Sequence, residues 1–163
     1  MTLYVQLEPL IGRPAILAGL QAFFAEPGTR SVEDLRVALE SASGKNLKPY
    51  FDAWVFGTGA PEWPSFEIET TQVGDEVTVK VTQVNASAKV YPCAVEIDVA
   101  GATQTVGATV DFGLAPASPV ATAKVTLAEP VLTHALDPRH RLVAREKTIT
   151  PIAKPAPRKV WIF

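Results

Sequence analysis

Two histidines, one cysteine and a few paired carboxylates are the residues in this chain that could do chemistry. His134 (in THALDP) and His140 (in PRHRL) lack the H-E-x-x-H spacing that sets two imidazoles and a general-base carboxylate on one helix face around zinc. With Cys93 they would form at best a poor three-ligand set, and both are expected in surface turns. Cys93 sits in an alternating apolar run with no cationic neighbour to lower its pKa, so it is expected as a small buried strand residue rather than a nucleophile. Glu33/Asp34 and Glu67/Glu69 read as the acidic first turn of a helix and the solvated face of a strand; an acid–base pair would need a cleft. There is no G-x-S-x-G elbow and no P-loop, and the glycines of GTGAP have neither a strand before them nor a helix after. The residues therefore assign no catalytic, substrate-binding or metal-ligating side chain.

The densest aromatic feature is LKPYFDAWVFGTGAPEWP, Leu47 to Pro64. Trp54, Phe56 and Trp63 could form a stacking platform for a sugar or peptide. Tyr50, Phe51 and Trp54 also share one helix face, and Trp63 precedes the first alternating run. The expected reading is that the helix face is buried, Trp63 covers the start of the first strand, and the stretch joins two kinds of structure.

Residues 1 to about 57 carry helical spacing. Leu3, Leu7, Leu10 and Ile11 form one stripe, Gly12-Arg13-Pro14 interrupts it, and Pro14 suits the first turn of the next helix. That helix places Leu17, Leu20, Phe23 and Phe24 on one side and stops near Glu26, before Pro27. Ser31 is the N-cap of a third helix, with Val32, Leu35 and Leu39 as its buried stripe and Gly44 at its end. Asn46 is the expected cap of a fourth, whose apolar face is Tyr50, Phe51, Trp54 and Val55.

After Pro64 the period changes to two. Phe66/Ile68, Val77/Val79/Val81 and Cys93/Val95/Ile97/Val99 alternate with polar residues, and Gly74-Asp75 marks a hairpin. Further runs at Gln104–Phe112, Ala121–Leu127, Val131–Leu136 and Arg141–Glu146 bring the expected strands to about seven. The fold class expected is α+β: a short N-terminal helical bundle over 1–60, an immunoglobulin-like antiparallel β-sandwich over 61–147, and a proline- and lysine-rich tail over 148–163. One cysteine excludes the disulfide core of an antibody-type domain.

Composition bounds the partners. With 163 residues, 47% of them hydrophobic, and a formal charge of −2, the chain can bury one moderate core or two small ones and carries no basic excess for nucleic acid. MTLYVQLEPL lacks the pattern of a signal peptide, and no segment approaches the ~20 apolar residues of a membrane span.

The run LIGRPAILAGLQAFF, followed by SVEDLRVALESASGKNLKPYFDAWVFGTGAPEW and an alternating β region, resembles the C-terminal part of a zinc aminopeptidase of the aminopeptidase N type, peptidase family M1. Asp34-Leu35, Leu39-Glu40, Ser43-Gly44, Leu47, Tyr50-Phe51, Trp54 and Gly59-Ala60-Pro61 follow the family's order and spacing; Asn46 replaces its usual aspartate. The resemblance covers about Leu7–Trp63 and is architectural beyond, with LDPRHRLV similar to the closing strand of such sandwiches. The family's zinc motif, glutamate ligand, G-x-M-E-N motif and transition-state tyrosine lie upstream of the matched region. The only methionine is Met1, and Tyr4 does not inherit the tyrosine's role.

The resemblance implies a non-catalytic C-terminal portion of such an enzyme, with zinc held in the full-length parent and no cofactor in this chain. The implied partners are the upstream catalytic domain of the same polypeptide and, through it, peptide substrates. Loss of the upstream partner would leave a helical face bearing Leu3, Leu7, Leu20 or Phe24 for self-association. The alternative from another class is an independent immunoglobulin-like binding or scaffolding module with a helical cap.

Overall fold

Gly12 adopts φ 84°, and this left-handed residue separates α1 (Thr2–Ile11) from α2 (Arg13–Phe24), with Pro14 in the first turn of α2. The computed structural model describes residues 2–25, 27–57, 63–142 and 144. The expected tail over 148–163, the Gly59-Ala60-Pro61 motif and, of the strand expected at Arg141–Glu146, residues 143, 145 and 146 lie outside these residues.

α3 (Val32–Ser43) begins at a full capping box: Asp34 N donates to Ser31 Oγ at 3.1 Å, and Ser31 N donates to Asp34 Oδ2 at 2.8 Å. Gly44 ends it at φ 65°, where its N–H donates to Glu40 O. In α4 (Lys48–Trp54) the N-cap is Leu47, one residue later than expected. Asn46 Oδ1 instead accepts from Lys48 N at 3.0 Å, a turn bond just outside the helix.

The helices meet in a core of Leu7, Leu10, Ile16, Leu35, Leu39, Leu47, Tyr50 and Phe51. The contact between α2 and α3 is set by Gly19. A Cβ there would stand 2.7 Å from Leu39 Cδ2 and 3.0 Å from Leu39 Cα. Gly19→Ala is expected to force the helices apart at a cost of about 1–3 kcal/mol, read as a lower melting temperature. This contact turns α2 so that Ile16 and Gly19 face inward, while Leu17 (55% exposed) and Phe24 (74%) face out, correcting the stripe expected for α2. Val32 is likewise exposed rather than part of the buried stripe. Leu7, placed on the face left for self-association, is buried in the helical core.

α1 is tied to α4 by polar groups inside this core. Tyr50 Oη donates to Leu3 O at 2.9 Å, and Gln6 Nε2 donates to Tyr50 Oη at 3.3 Å. Burial pushes the Tyr50 phenol well above its usual pKa. Tyr50→Phe leaves Leu3 O and the Gln6 amide to find other partners, with an expected cost of about 1–3 kcal/mol in chemical denaturation.

Six strands are present among the described residues: β1 (Phe66–Val73), β2 (Glu76–Gln83), β3 (Ala94–Ala100), β4 (Thr105–Asp111), β5 (Val120–Thr126) and β6 (Thr133–Leu136). They form two antiparallel three-stranded sheets, ordered β1-β2-β5 and β4-β3-β6. Gly74 at φ 60° makes the tight β1–β2 turn. The inner residues Phe66, Ile68, Val77, Val79, Val81, Cys93, Val95, Ile97, Val99, Val110 and Leu127 build one core between the sheets. The chain is therefore α+β, as expected. Arg141, Leu142 and Ala144 are not in a strand, although Leu142 is buried in the two-sheet core and Ala144 packs against it.

Candidate functional site

Trp54 belongs to both cores. Its indole Nε1 donates to Pro92 O at 2.8 Å, and its ring lies 4.8 Å from Tyr91 and 6.3 Å from Tyr50 between centroids. The 89–92 segment that it meets leads directly into β3. Lys89 Nζ stands 4.7 Å over the Tyr91 ring and donates to Ala53 O at 3.4 Å, a second tie to α4.

The other side of this segment is held by Gln83, 5% exposed at the end of β2. Gln83 Nε2 donates to Tyr91 O at 2.9 Å, and Tyr91 N donates to Gln83 Oε1 at 2.8 Å. One side-chain amide thus does for Tyr91, outside any strand, what a ladder partner does inside a sheet. Gln72 plays the same part near the end of β1: its Nε2 donates to Leu127 O (3.1 Å) and Glu129 O (3.0 Å), and its Oε1 accepts from Val131 N at 2.9 Å. Both glutamines stand in the inner phase of strands whose other inner residues are mostly apolar. A polar residue in the apolar phase is the sequence signal that marks them.

Glu129 sits against the turn between β3 and β4. Its carboxylate accepts from Thr103 N at 2.8 Å and from Gln104 N at 2.5 Å, filling a nest of backbone N–H groups in the β3–β4 turn. These bonds, the Thr103 one foremost, hold its pKa below the usual carboxylate value. With the folded pKa depressed, the contribution is present above pH about 4.5 and lost as the pH falls through the lower folded value. Glu129→Gln is expected to flatten stability against pH below that point relative to the parent chain, as read by urea midpoints.

The residues singled out for chemistry go to separate places. Cys93 is fully buried, and its thiol pKa is pushed well above normal, so no thiolate is offered. His140 lies in the exposed turn expected for it, with its N–H donating to Asp137 O at 3.0 Å. His134 does not: it is 4% exposed on the inner face of β6, because the strand's alternation points it and Leu136 into the core. Glu33 binds Arg36, and Asp34 is consumed in the capping box. Glu67 and Glu69 lie on the wet face of β1, Glu69 accepting from Lys80 Nζ at 2.9 Å. Of the aromatic platform, Trp54 turns toward Tyr50 and Tyr91, Phe56 toward Phe51, and Trp63 is 52% exposed rather than sealed over the strand start.

Among the described residues no three His, Cys, Asp or Glu side chains gather to hold a metal, so the donors present do not fit a zinc site. No described helix is long and apolar enough to cross a membrane. Two surface grooves flank the joint and the helices. One of about 380 Å³ is bordered by Pro49, Asp52, Lys89, Pro92 and Pro116; the other, about 520 Å³, runs between α2 and α3 over Ala18, Ala22, Val37, Ala38 and Ala42. The carboxylates on their rims are already engaged, Asp34 by Ser31 N and Asp52 by Lys48 Nζ. The joint can hold two pieces of structure in one arrangement.

No family model matches the sequence, and no curated protein matches it. Among solved structures the chain is similar to the Legionella pneumophila aminopeptidase A crystallised in complex with aspartic acid, with a TM-score of 0.62 and 14% identity. That likeness covers 83% of this chain and 16% of the aminopeptidase chain. At this identity what is shared is the fold: helices joined to two antiparallel sheets recur as one segment of a much longer peptidase.

Proposed function

We propose that this chain is the C-terminal portion of a zinc metallo-aminopeptidase of the aminopeptidase N type, in which residues 1–60 finish the catalytic domain and 61–147 form an immunoglobulin-like sandwich. The supporting observation is the structural likeness that runs through the joint and takes in 83% of the chain within one solved aminopeptidase. The order Asp34-Leu35, Leu39-Glu40, Ser43-Gly44, Tyr50-Phe51 and Trp54 fits the same reading from the sequence side.

In the full-length parent, zinc would polarise the scissile carbonyl and activate water for release of N-terminal residues from peptides. This chain's residues would contribute no ligand and no proton transfer. Their part is to set the sandwich against the catalytic domain through Trp54, Tyr91 and Gln83. The upstream polypeptide is the partner, and the outward face of α2 and α3, with Leu17, Val37 and Phe24 exposed, is the surface offered to it.

The test is to assay the purified chain for zinc content and aminoacyl-amide hydrolysis, and to read the coding sequence upstream of Met1. The expected result is no stoichiometric zinc, no hydrolysis, and an H-E-x-x-H segment upstream. Zinc-dependent hydrolysis by the chain itself would overturn the proposal; so would an upstream sequence lacking that segment, which would favour an independent binding module.

A further inference from the structure

β1 is an edge strand whose outer side pairs with no other strand among the described residues. Its register with β2 runs unbroken from Phe66↔Gln83 to Val73↔Glu76, and Val84 N donates to Ser65 O at 2.9 Å just beyond it. Along an antiparallel ladder, residues alternate between turning both backbone groups to the neighbour and turning both away. Counted from Ser65, the odd-numbered residues of β1 bond β2, so Phe66, Ile68, Thr70 and Gln72 present their N–H and C=O groups to the free edge. The same four form the inner face of the strand.

Natural sheets protect their edges with short strands, glycine or proline, lysine, bulges or inward charges. β6 is four residues long, β5 carries Lys124, and β4 has Gly107 in its interior. β1 has eight residues with no proline, glycine, lysine or bulge, and no charge in its inner phase. It also holds Thr70, whose hydroxyl is buried and without a hydrogen-bond partner among the described residues. Buried hydroxyls are nearly always paired, and a hydroxyl both donates and accepts. Its own counterpart, brought up across a two-fold axis, is therefore a complete partner.

We propose that β1 pairs antiparallel with β1 of a second copy of this chain, with Thr70 on the two-fold axis, so that two β1-β2-β5 sheets become one of six strands. Charge selects this register. With the axis at Ile68, Glu67 would oppose Glu69 of the second copy; with the axis at Glu69, that carboxylate would oppose itself. An axis at Thr71 avoids both clashes but shortens the ladder and leaves the two Thr70 hydroxyls apart. At Thr70, Glu69 stands opposite Thr71, and Glu67 opposite Val73, which is 82% exposed in the single chain. Ile68 then meets Gln72, and about six backbone hydrogen bonds form across the axis. Glu69 keeps Lys80 as its counter-charge at 2.9 Å. The contact leaves the outer face of α2 and α3 free, and the inference stands whether or not the chain belongs to an aminopeptidase.

The experiment is sedimentation equilibrium of the whole chain. A monomer–dimer equilibrium with a dissociation constant of about 10–100 µM is expected, as suits a small and largely polar contact. Thr71→Glu sets a carboxylate opposite Glu69 twice in each dimer and should weaken association about tenfold, whereas Thr71→Lys should strengthen it by about the same factor. Thr71 lies on the exposed face, so the circular dichroism of the monomer should not change. Thr70→Val removes the shared hydroxyl at constant shape, and should weaken the dimer without lowering the urea midpoint of the monomer. A chain that stays monomeric at about 200 µM overturns the proposal. So does a dimer whose affinity ignores both Thr71 changes, or one lost in Phe24→Glu, which would place the contact on the helices.

Discussion

Replacing Trp54 with alanine is expected to cost about 3–5 kcal/mol and to separate the unfolding of the helices from that of the sheets. Trp54 is the side chain packed against both cores, and its truncation opens a void at their contact while leaving Pro92 O without its indole donor. The other ties across the contact are weaker: Lys89 reaches Ala53 O at 3.4 Å, and Ala94 and Leu114 contribute only small or partly buried surfaces to the helical core. Urea unfolding followed by the NMR amide signals of α1–α4 and, separately, of β1–β6 should give coincident midpoints in the parent chain and divergent ones in Trp54→Ala. Trp54→Phe keeps most of the ring burial but loses the bond to Pro92, so it should cost about 1–2 kcal/mol without splitting the transition. Coincident midpoints in Trp54→Ala would show that the two cores are coupled through something other than this ring.

The same ring shows what the sequence could reveal. Its place on the apolar face of a short helix followed from its spacing with Tyr50 and Phe51, and its role at a joint followed from the change of period after Pro64. That it hydrogen-bonds Pro92 could not be read, because a partner 38 residues away is set by how the sheets stack. Local chemistry was the most legible layer: the Ser31 capping box, Gly44 as a left-handed end and the Gly74 turn each depend on neighbours within a few residues. Faces were legible only where the neighbour is implied. Strand alternation placed Val77, Val79 and Val81 inside correctly, since a strand offers just two faces. α2 offered a continuous circle of apolar residues, and Gly19, not a large side chain, decided which arc meets α3. Residue type suggested a turn for His134, although its phase with Leu136 pointed inward; phase was the stronger signal.

Gln83 carries the second large expectation: Gln83→Met, nearly isosteric and more apolar, should still destabilise the chain by about 2–5 kcal/mol. The loss would not come from packing, since the thioether fills the same space. It would come from Tyr91 N and O, both bonded to this one amide, each costing about 1–3 kcal/mol when left buried and unmet. Because Tyr91 also supports the Trp54 ring, the two sites should couple: Trp54→Phe combined with Gln83→Met is expected to cost less than the sum of the single changes. Gln83→Glu makes the requirement for a donor explicit. The introduced carboxylate can still accept from Tyr91 N but faces Tyr91 O with no hydrogen, and only its protonated form restores the second bond. Its folded pKa is therefore raised, so its stabilising contribution is present below the ordinary glutamate pKa and lost as the pH rises through the raised value. Denaturant midpoints of Gln83→Glu should accordingly fall between about pH 5 and pH 7, roughly one to two pH units above the glutamate range, relative to the parent chain; parallel midpoints across that window would show that Tyr91 O finds another donor.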